Sequence, residues 1–185
     1  MTPVLRSLDL ARRSRITILR DGSAVRLRPL DADEQPELRR FVERVSADSL
    51  YSRFFGIPSS HRAAASLADC VRPGDIGLVA QGGAQLSIVA HAGAFRVGHD
   101  VAEAAFLVAD EWQGRGLGSM LLARLAAAAR ERGVVTLVAH VLPGNHAMLA
   151  VFRRSGHPVR IEPGQDAIRV LIGTTPLPET VALVA

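Results

Sequence analysis

Between Val101 and Gly133 the chain reads VAEAAFLVADEWQGRGLGSMLLARLAAAARERG, with Gly114, Gly116 and Gly118 alternating with other residues at its centre. An apolar, strand-like run passes here into a helical pattern through nearly bare backbone. Glycine loses more backbone freedom on folding than any other residue, so such a cluster is costly unless the backbone itself is used. The chemistry that uses it is anion binding. Amides in the first turn of a helix have no partner within the helix, and the helix dipole adds roughly half a positive charge there. Gln113, Gly114, Arg115, Gly116, Leu117, Gly118 and Ser119 would supply those amides, with Arg115 as an added charge. The spacing is not the dinucleotide pattern G-x-G-x-x-G, and the P-loop needs a lysine that this chain lacks. A tight strand-to-helix turn that binds nothing fits the same residues.

Glu103 is the second chemical candidate. It stands in the otherwise apolar run VAEAAFLVA, where an isolated carboxylate is costly unless it faces a cleft or finds a partner. An exposed acid paired to an arginine is the alternative. His91, His99 and Asp100 lack ligand spacing with other candidates, and no metal is expected. Cys70 is the single cysteine, so no internal disulfide can form, which fits a reducing compartment. It reads as a small apolar residue of a helix. Asp110 and Glu111 make poor neighbours for a phosphate and are expected to point to solvent or cap the turn.

These residues need elements to position them. RITILRDGSAVRLRPL reads as two short strands joined at Asp21-Gly22. Asp31 or Asp33 is placed to cap a helix over DEQPELRRFVERVS, where Leu38, Phe41, Val42 and Val45 share a face. Further helices are expected over ADSLYSRFFG and SSHRAAASLADCV, ending at Pro73-Gly74. Then DIGLVAQ, AQLSIVAHAGAFRV and VAEAAFLVA form a meander with a turn at Gly82-Gly83. Leu117, Leu121, Leu125 and Ala128 line one face of a helix that stops at Gly133. VVTLVAHVL is a buried strand, NHAMLAVFRRSG a short helix, and HPVRIEP with DAIRVLIG a closing strand pair. This order gives an α+β fold with a mixed, mostly antiparallel central sheet flanked by helices. The domain spans 15–173, between an arm (1–14) and a tail (174–185).

Composition narrows the partners. The chain has 185 residues and a net charge of +4. All 22 basic residues are arginine, scattered among 18 acids, and aromatics are only 4%, so neither a basic stripe nor a stacking platform for nucleic acid is present. No apolar run approaches the ~18 residues of a membrane span, and no signal-peptide core precedes the domain. A cytoplasmic protein without nucleic-acid or membrane partners is expected.

Gln113-x-x-Gly116-x-Gly118 after a strand resembles the acyl-CoA pyrophosphate loop of the GNAT superfamily of N-acetyltransferases. NHAMLAVFRRSG resembles the later motif of that family, an Asn before a short helix that ends in aromatic-x-basic-x-Gly. VRLRPLDADE is similar to its first strand and helix entry, and the resemblance covers roughly residues 15–173. A narrower resemblance is to bacterial protein lysine acetyltransferases of the Pat type. It rests on LRDGSAVRLRPLDADE, SLYSRFF and AEAAFLVADEWQGRGLGSMLL. In that group the catalytic domain is usually fused to a regulatory or synthetase-like domain. No such domain fits in these 185 residues, so regulation through a fused module is not implied.

The resemblance implies acetyl-CoA as donor, held without metal, and direct transfer to an amine in a ternary complex. The amine would belong to a protein lysine, an acyl-CoA synthetase among the candidate acceptors, or to a small molecule. It implies that pantetheine lies along Phe106, Leu107 and Val108, with an amide near Val108 aimed at the developing oxyanion. Glu103 matches the catalytic glutamate, the base a protonated amine requires. Asn145 would contact the pantetheine arm, in addition to a possible N-cap role. The tyrosine that often protonates the departing thiolate is here Phe152. Tyr51, His140, Ser155 and His157 are conceivable substitutes, none selected by the spacing, and with a thiol pKa of about 8.5 loss of the acid need not abolish catalysis. A non-catalytic acyl-CoA-binding module is the reading from another class; Glu103 argues against it.

Overall fold

The computed structural model describes residues 14–178. β1 (Arg15–Ile18) and β2 (Ala24–Pro29) pair through the turn at Asp21-Gly22, where Gly22 takes a φ of 83°. α1 (Gln35–Val42), α2 (Ala47–Phe54) and α3 (Ser60–Ala68) follow, and a 3-10 turn over Asp69–Val71 holds Cys70. Then come β3 (Ile76–Gly82), β4 (Ser87–Arg96), β5 (Val101–Val108), α4 (Leu117–Glu131), β6 (Thr136–Val141), α5 (His146–Arg153), β7 (Val159–Glu162) and β8 (Ile168–Gly173). The elements expected from the sequence are all present. The helices are shorter than their apolar patterns, because glycine, proline and capping residues trim their ends.

The eight strands form one sheet in the order β1-β2-β3-β4-β5-β6-β8-β7. Every neighbouring pair is antiparallel except β5 and β6, which are parallel. A parallel pair needs a crossover, and α4 supplies it. Side-chain alternation then divides the core. Ala102 and Ala104 of β5 face the cluster of Leu117, Leu121, Leu125 and Phe152 on the α4–α5 side. Leu107 faces the cluster of Leu38, Phe41, Leu50 and Leu67 on the α1–α3 side. Glu103, two strand repeats from Leu107, shares that second face.

The β5–β6 pairing is short. It joins Val101–Glu103 to Thr136–Val138 and stops. Beyond it β5 stays with β4 as far as Val108, while β6 stays with β8 through Val141. The sheet therefore parts after Glu103. Among the described residues the β5 edge from Ala104 to Val108 has no strand partner on the β6 side.

One capping expectation fails. α1 is capped by neither Asp31 nor Asp33 but starts after Glu34, which makes no side-chain cap. The Glu34 carboxylate is held instead by the Arg28 guanidinium, with Nη1 at 2.6 Å from Oε2, and it accepts the Asp31 amide at 2.9 Å. A charge-assisted pair outcompetes a local cap. In the expected tail, Thr174 is buried and its hydroxyl donates to the Val134 carbonyl at 2.8 Å. Among the described residues no helix is long and apolar enough to cross a membrane.

Candidate active site

The gap between β5 and β6 opens into a cavity of about 670 Å³. Its walls include Ala104–Val108 of β5, Ala139–Val141 of β6, the first turn of α4, the inner face of α5 and the last turn of α2. Glu103, Phe106, Leu107, Val108, Gln113, Gly114, Gly116, Leu117, Gly118, Ser119, Asn145 and Phe152 all line it.

The loop into α4 is shaped by its glycines. Gly114 and Gly116 take φ values of 73° and 93°, a left-handed backbone that other residues resist. Gly116 is the N-cap of α4 and offers no side chain. Intrahelical bonding begins with the Met120 amide on the Gly116 carbonyl, so the amides of Leu117, Gly118 and Ser119 have no partner within the helix. Gly118 is held neither by a left-handed backbone nor by a close neighbour. A Cβ there would meet Val151 Cγ2 only at 3.6 Å, an ordinary contact.

Arg115 is committed elsewhere than to the cavity. Its Nη1 pairs with Asp21 Oδ2 at 2.8 Å, and its guanidinium lies 5.0 Å over the Trp112 ring. Asp21 is kept well ionised first by the Ser23 hydroxyl and amide and further by Arg115, all of which lower its pKa. The Arg20 amide also reaches the Arg115 carbonyl at 3.3 Å. The β1–β2 hairpin is thus clipped onto the loop. A second cation beside the bare helix end is Arg20, whose Nε would lie 3.4 Å from a Cβ on Gly116 and which lines the cavity. The sequence gives no local sign of this, because Arg20 precedes the loop by nearly a hundred residues. Trp112 packs on Gly82, where any Cβ would meet its ring at 2.5 Å.

α2 is fixed to the far end of β5. Asp110 accepts the Ser46 amide at 2.8 Å, the Ser46 hydroxyl at 2.7 Å and the Ser49 hydroxyl at 2.7 Å. Gln113 Nε2 donates to Ser49 Oγ at 3.0 Å and to the Val108 carbonyl at 3.1 Å. Asp110, expected to face solvent or cap the turn, is therefore a clamp between the loop and the helix. Burial works against its charge, but the bonds from Ser46 and Ser49 outweigh it and leave the pKa below the ordinary carboxylate value. Such a lowered pKa stabilises the fold above the unfolded-state value near 3.9, and the contribution disappears as pH falls through the folded value. Asp110→Asn should therefore melt at a lower temperature than wild type at about pH 7, with the difference shrinking at about pH 3. Thermal melts at the two pH values check this.

Glu103 is exposed to the cavity, and no hydrogen bond or ion pair to it is found among the described residues. It lies opposite Phe95 of β4 and Val138 of β6, at the point where the sheet parts. Asn145 caps α5, its Oδ1 accepting the Met148 amide at 3.0 Å. Phe152 is fully buried and meets Phe106 edge to face, with ring centroids 6.0 Å apart. Of the four candidate proton donors only His140 lines the cavity. The His157 ring engages the Gly173 carbonyl at 2.8 Å, Ser155 accepts the His157 amide, and Tyr51 is exposed outside the cavity. Behind the α2 wall, His91 Nε2 lies 3.3 Å from Cys70 Sγ. Burial pushes the His91 pKa down to about 3 and the Cys70 thiol up to about 12, so both are neutral. Among the described residues no group of three or more His, Cys, Asp or Glu could hold a metal.

A sheet that parts between two parallel strands, with a bare helix N-terminus at its mouth, defines a class of α+β domain with one continuous cleft. The chain belongs to the acetyltransferase (GNAT) family, whose model matches residues 44–157. It is 37% identical over 142 residues to the acetyltransferase Pat of Mycolicibacterium smegmatis, which covers 75% of this chain and 42% of the relative. The chain thus spans less than half of that relative's length. Among solved structures, the GNAT domain of S. lividans PAT superposes with a TM-score of 0.77 at 34% identity, over 86% of this chain and 96% of that one. A cAMP-binding acyltransferase from Mycobacterium smegmatis gives 0.61 at 27% identity, over 89% of this chain and 48% of that one. A phosphinothricin acetyltransferase from Sinorhizobium meliloti, in complex with AcCoA, shares the fold with a TM-score of 0.63 at 19% identity, over 84% and 90% of the two chains.

Proposed function

We propose that this chain transfers an acetyl group from acetyl-CoA to lysine side chains of proteins, directly and in a ternary complex, with Glu103 as general base. A cytoplasmic setting belongs to the same proposal. The observation that carries it is the position of Glu103, an exposed carboxylate without a contact partner where the split in the sheet begins. The similarity to PAT and Pat proteins supports the lysine acceptor.

The cleft fits the donor in shape and chemistry. The free amides of Leu117, Gly118 and Ser119, with Arg20 beside them, would hold a pyrophosphate. The unpaired β5 edge would take the pantetheine arm in strand-like fashion, and Asn145 lies on the opposite wall. The donor supplies an acyl group activated as a thioester. A lysine amine, with a reference pKa near 10.4, arrives protonated and cannot attack until it loses a proton. Glu103 takes that proton, directly or through a water. The amine nitrogen then bonds to the acyl carbon, the carbon–sulfur bond breaks with its electron pair leaving on sulfur, and the second proton that the nitrogen sheds passes to that thiolate or to water. An amide near Val108 would donate to the acyl oxygen as charge develops there.

This scheme needs no tyrosine at position 152. Phe152→Tyr should change turnover by no more than a few-fold. It should also lower the melting temperature, because burying a hydroxyl without a partner costs about 1–3 kcal/mol. A rise in turnover of about a hundredfold, a general-acid effect, would show that the wild-type chain lacks a needed proton donor. The function itself is tested by measuring CoA release with a panel of lysine-containing proteins and small amines. Release with the proteins is expected; release confined to the small amines, or none at all, would overturn it.

A further inference from the structure

Arg53 presents a charge that the scheme above does not use. It lines the cleft from the last turn of α2, on the sheet face that Glu103 shares. Its Nε is buried and has no hydrogen-bond partner. The ring of Phe54 lies 4.7 Å from its guanidinium carbon, and no ion pair among the described residues includes it. Guanidinium groups carry five donors and normally satisfy them when buried.

The neighbours of Arg53 do not balance its charge. His91 and Cys70, within its electrostatic reach, are both held neutral by burial. Glu103 is the anion that interacts with it, and the two stand beyond ion-pair contact. Burial pushes the Arg53 pKa down to about 10, which still leaves a cation at neutral pH. The other arginines near the cleft stand at its opposite end or are bonded to other groups. Arg20 lies over Gly116, Arg115 is paired with Asp21, and Arg154 Nε reaches the Ala150 carbonyl at 3.3 Å.

A lysine ammonium that approaches Glu103 brings a second cation to a wall with one anion. An acceptor that also carries a carboxylate restores the balance. Nε is covered, so the two terminal nitrogens of Arg53 form the edge that faces the cleft; that edge matches a carboxylate in two parallel hydrogen bonds, whereas a peptide carbonyl would satisfy donors but not charge. We propose that Arg53 is a specificity-determining residue that receives the carboxylate of an Asp or Glu side chain close to the target lysine. This rests on the lysine-acetyltransferase reading and names the kind of lysine it favours.

The test compares matched peptides in which one lysine is flanked, at each nearby position in turn, by Glu or by Gln. Transfer is followed with wild type, Arg53→Gln and Arg53→Lys, and calorimetry of acetyl-CoA binding confirms that each variant is folded. Wild type should prefer at least one Glu peptide over its Gln match by tenfold or more in kcat/KM, mostly through KM. Arg53→Gln should erase the preference, and Arg53→Lys, which keeps the charge without the fork, should keep part of it. Transfer without any acidic preference, or an equal loss on both peptides in Arg53→Gln, overturns the role of Arg53 and leaves the lysine reading intact. Absence of transfer to every peptide by folded wild type overturns both.

Discussion

Replacing Glu103 by Gln is expected to lower turnover on a lysine-containing acceptor by about 10²–10⁴, the usual contribution of a general base. Affinity for acetyl-CoA should stay nearly unchanged, because Glu103 shares the α2 face of the sheet and lies at the opposite end of β5 from the glycine loop. The glutamine keeps the shape and polarity of the side chain but cannot accept the proton. Glu103 is exposed and without a hydrogen-bonded partner among the described residues, so the substitution breaks no hydrogen bond; it removes the through-space attraction to Arg53, and the fold should survive. The rise of rate with pH that a titrating base produces should flatten in the variant. Steady-state kinetics across pH, with calorimetric titration of acetyl-CoA, checks both halves. Full activity in folded Glu103→Gln would return the residue to a surface role.

A bulky residue at Gly118 is expected to have the second-largest effect, and on binding. The site allows a clean experiment, because a Cβ at Gly118 meets only Val151, at an ordinary 3.6 Å, and the backbone there is not left-handed. The first carbon of a side chain is thus accommodated, and leucine has the higher helix propensity; a thermal melt establishes that Gly118→Leu is folded before binding is measured. The leucine side chain would stand over the free first-turn amides. Losing two charge-assisted hydrogen bonds at about 1.5 kcal/mol each predicts a loss of roughly a hundredfold in acetyl-CoA affinity. Gly116→Trp should also abolish binding, but its φ of 93° strains any other residue, so it is the less selective variant. Undiminished binding by folded Gly118→Leu would mean that the loop is only a turn.

Local signals carried much of this architecture into the sequence. The alternation in VAEAAFLVA and the face of Leu117, Leu121 and Leu125 are read within one element, and both elements are present. Glycines at Gly114 and Gly116 mark a left-handed backbone that few other residues tolerate, so the loop is legible without its surroundings. Partnerships across the chain were not legible. Asp110 reaches Ser46 across 64 positions, and Arg115 reaches Asp21 across 94. No periodicity records such pairs, so Arg115 read as an added charge for the anion and Asp110 as an acid that points to solvent or caps the turn. Arg53 was missed for a different reason. In SLYSRFF it looks like any arginine on an exposed helix face, and only packing against the sheet shows that its Nε is covered and unpartnered. The Asp31 or Asp33 cap failed because local propensity cannot anticipate that Arg28 takes the neighbouring carboxylate of Glu34.

Acetylation of protein lysines through Glu103 is the proposed activity of this cleft. Its most direct test is mass spectrometry of a lysine-containing protein after incubation with acetyl-CoA and either wild type or Glu103→Gln, both at concentrations that saturate the donor. Acetyl groups should map to lysine ε-amines with wild type, and at least a hundredfold fewer should appear per unit time with the variant. Equal modification by the two proteins, or none by either while small amines are acetylated, would contradict it.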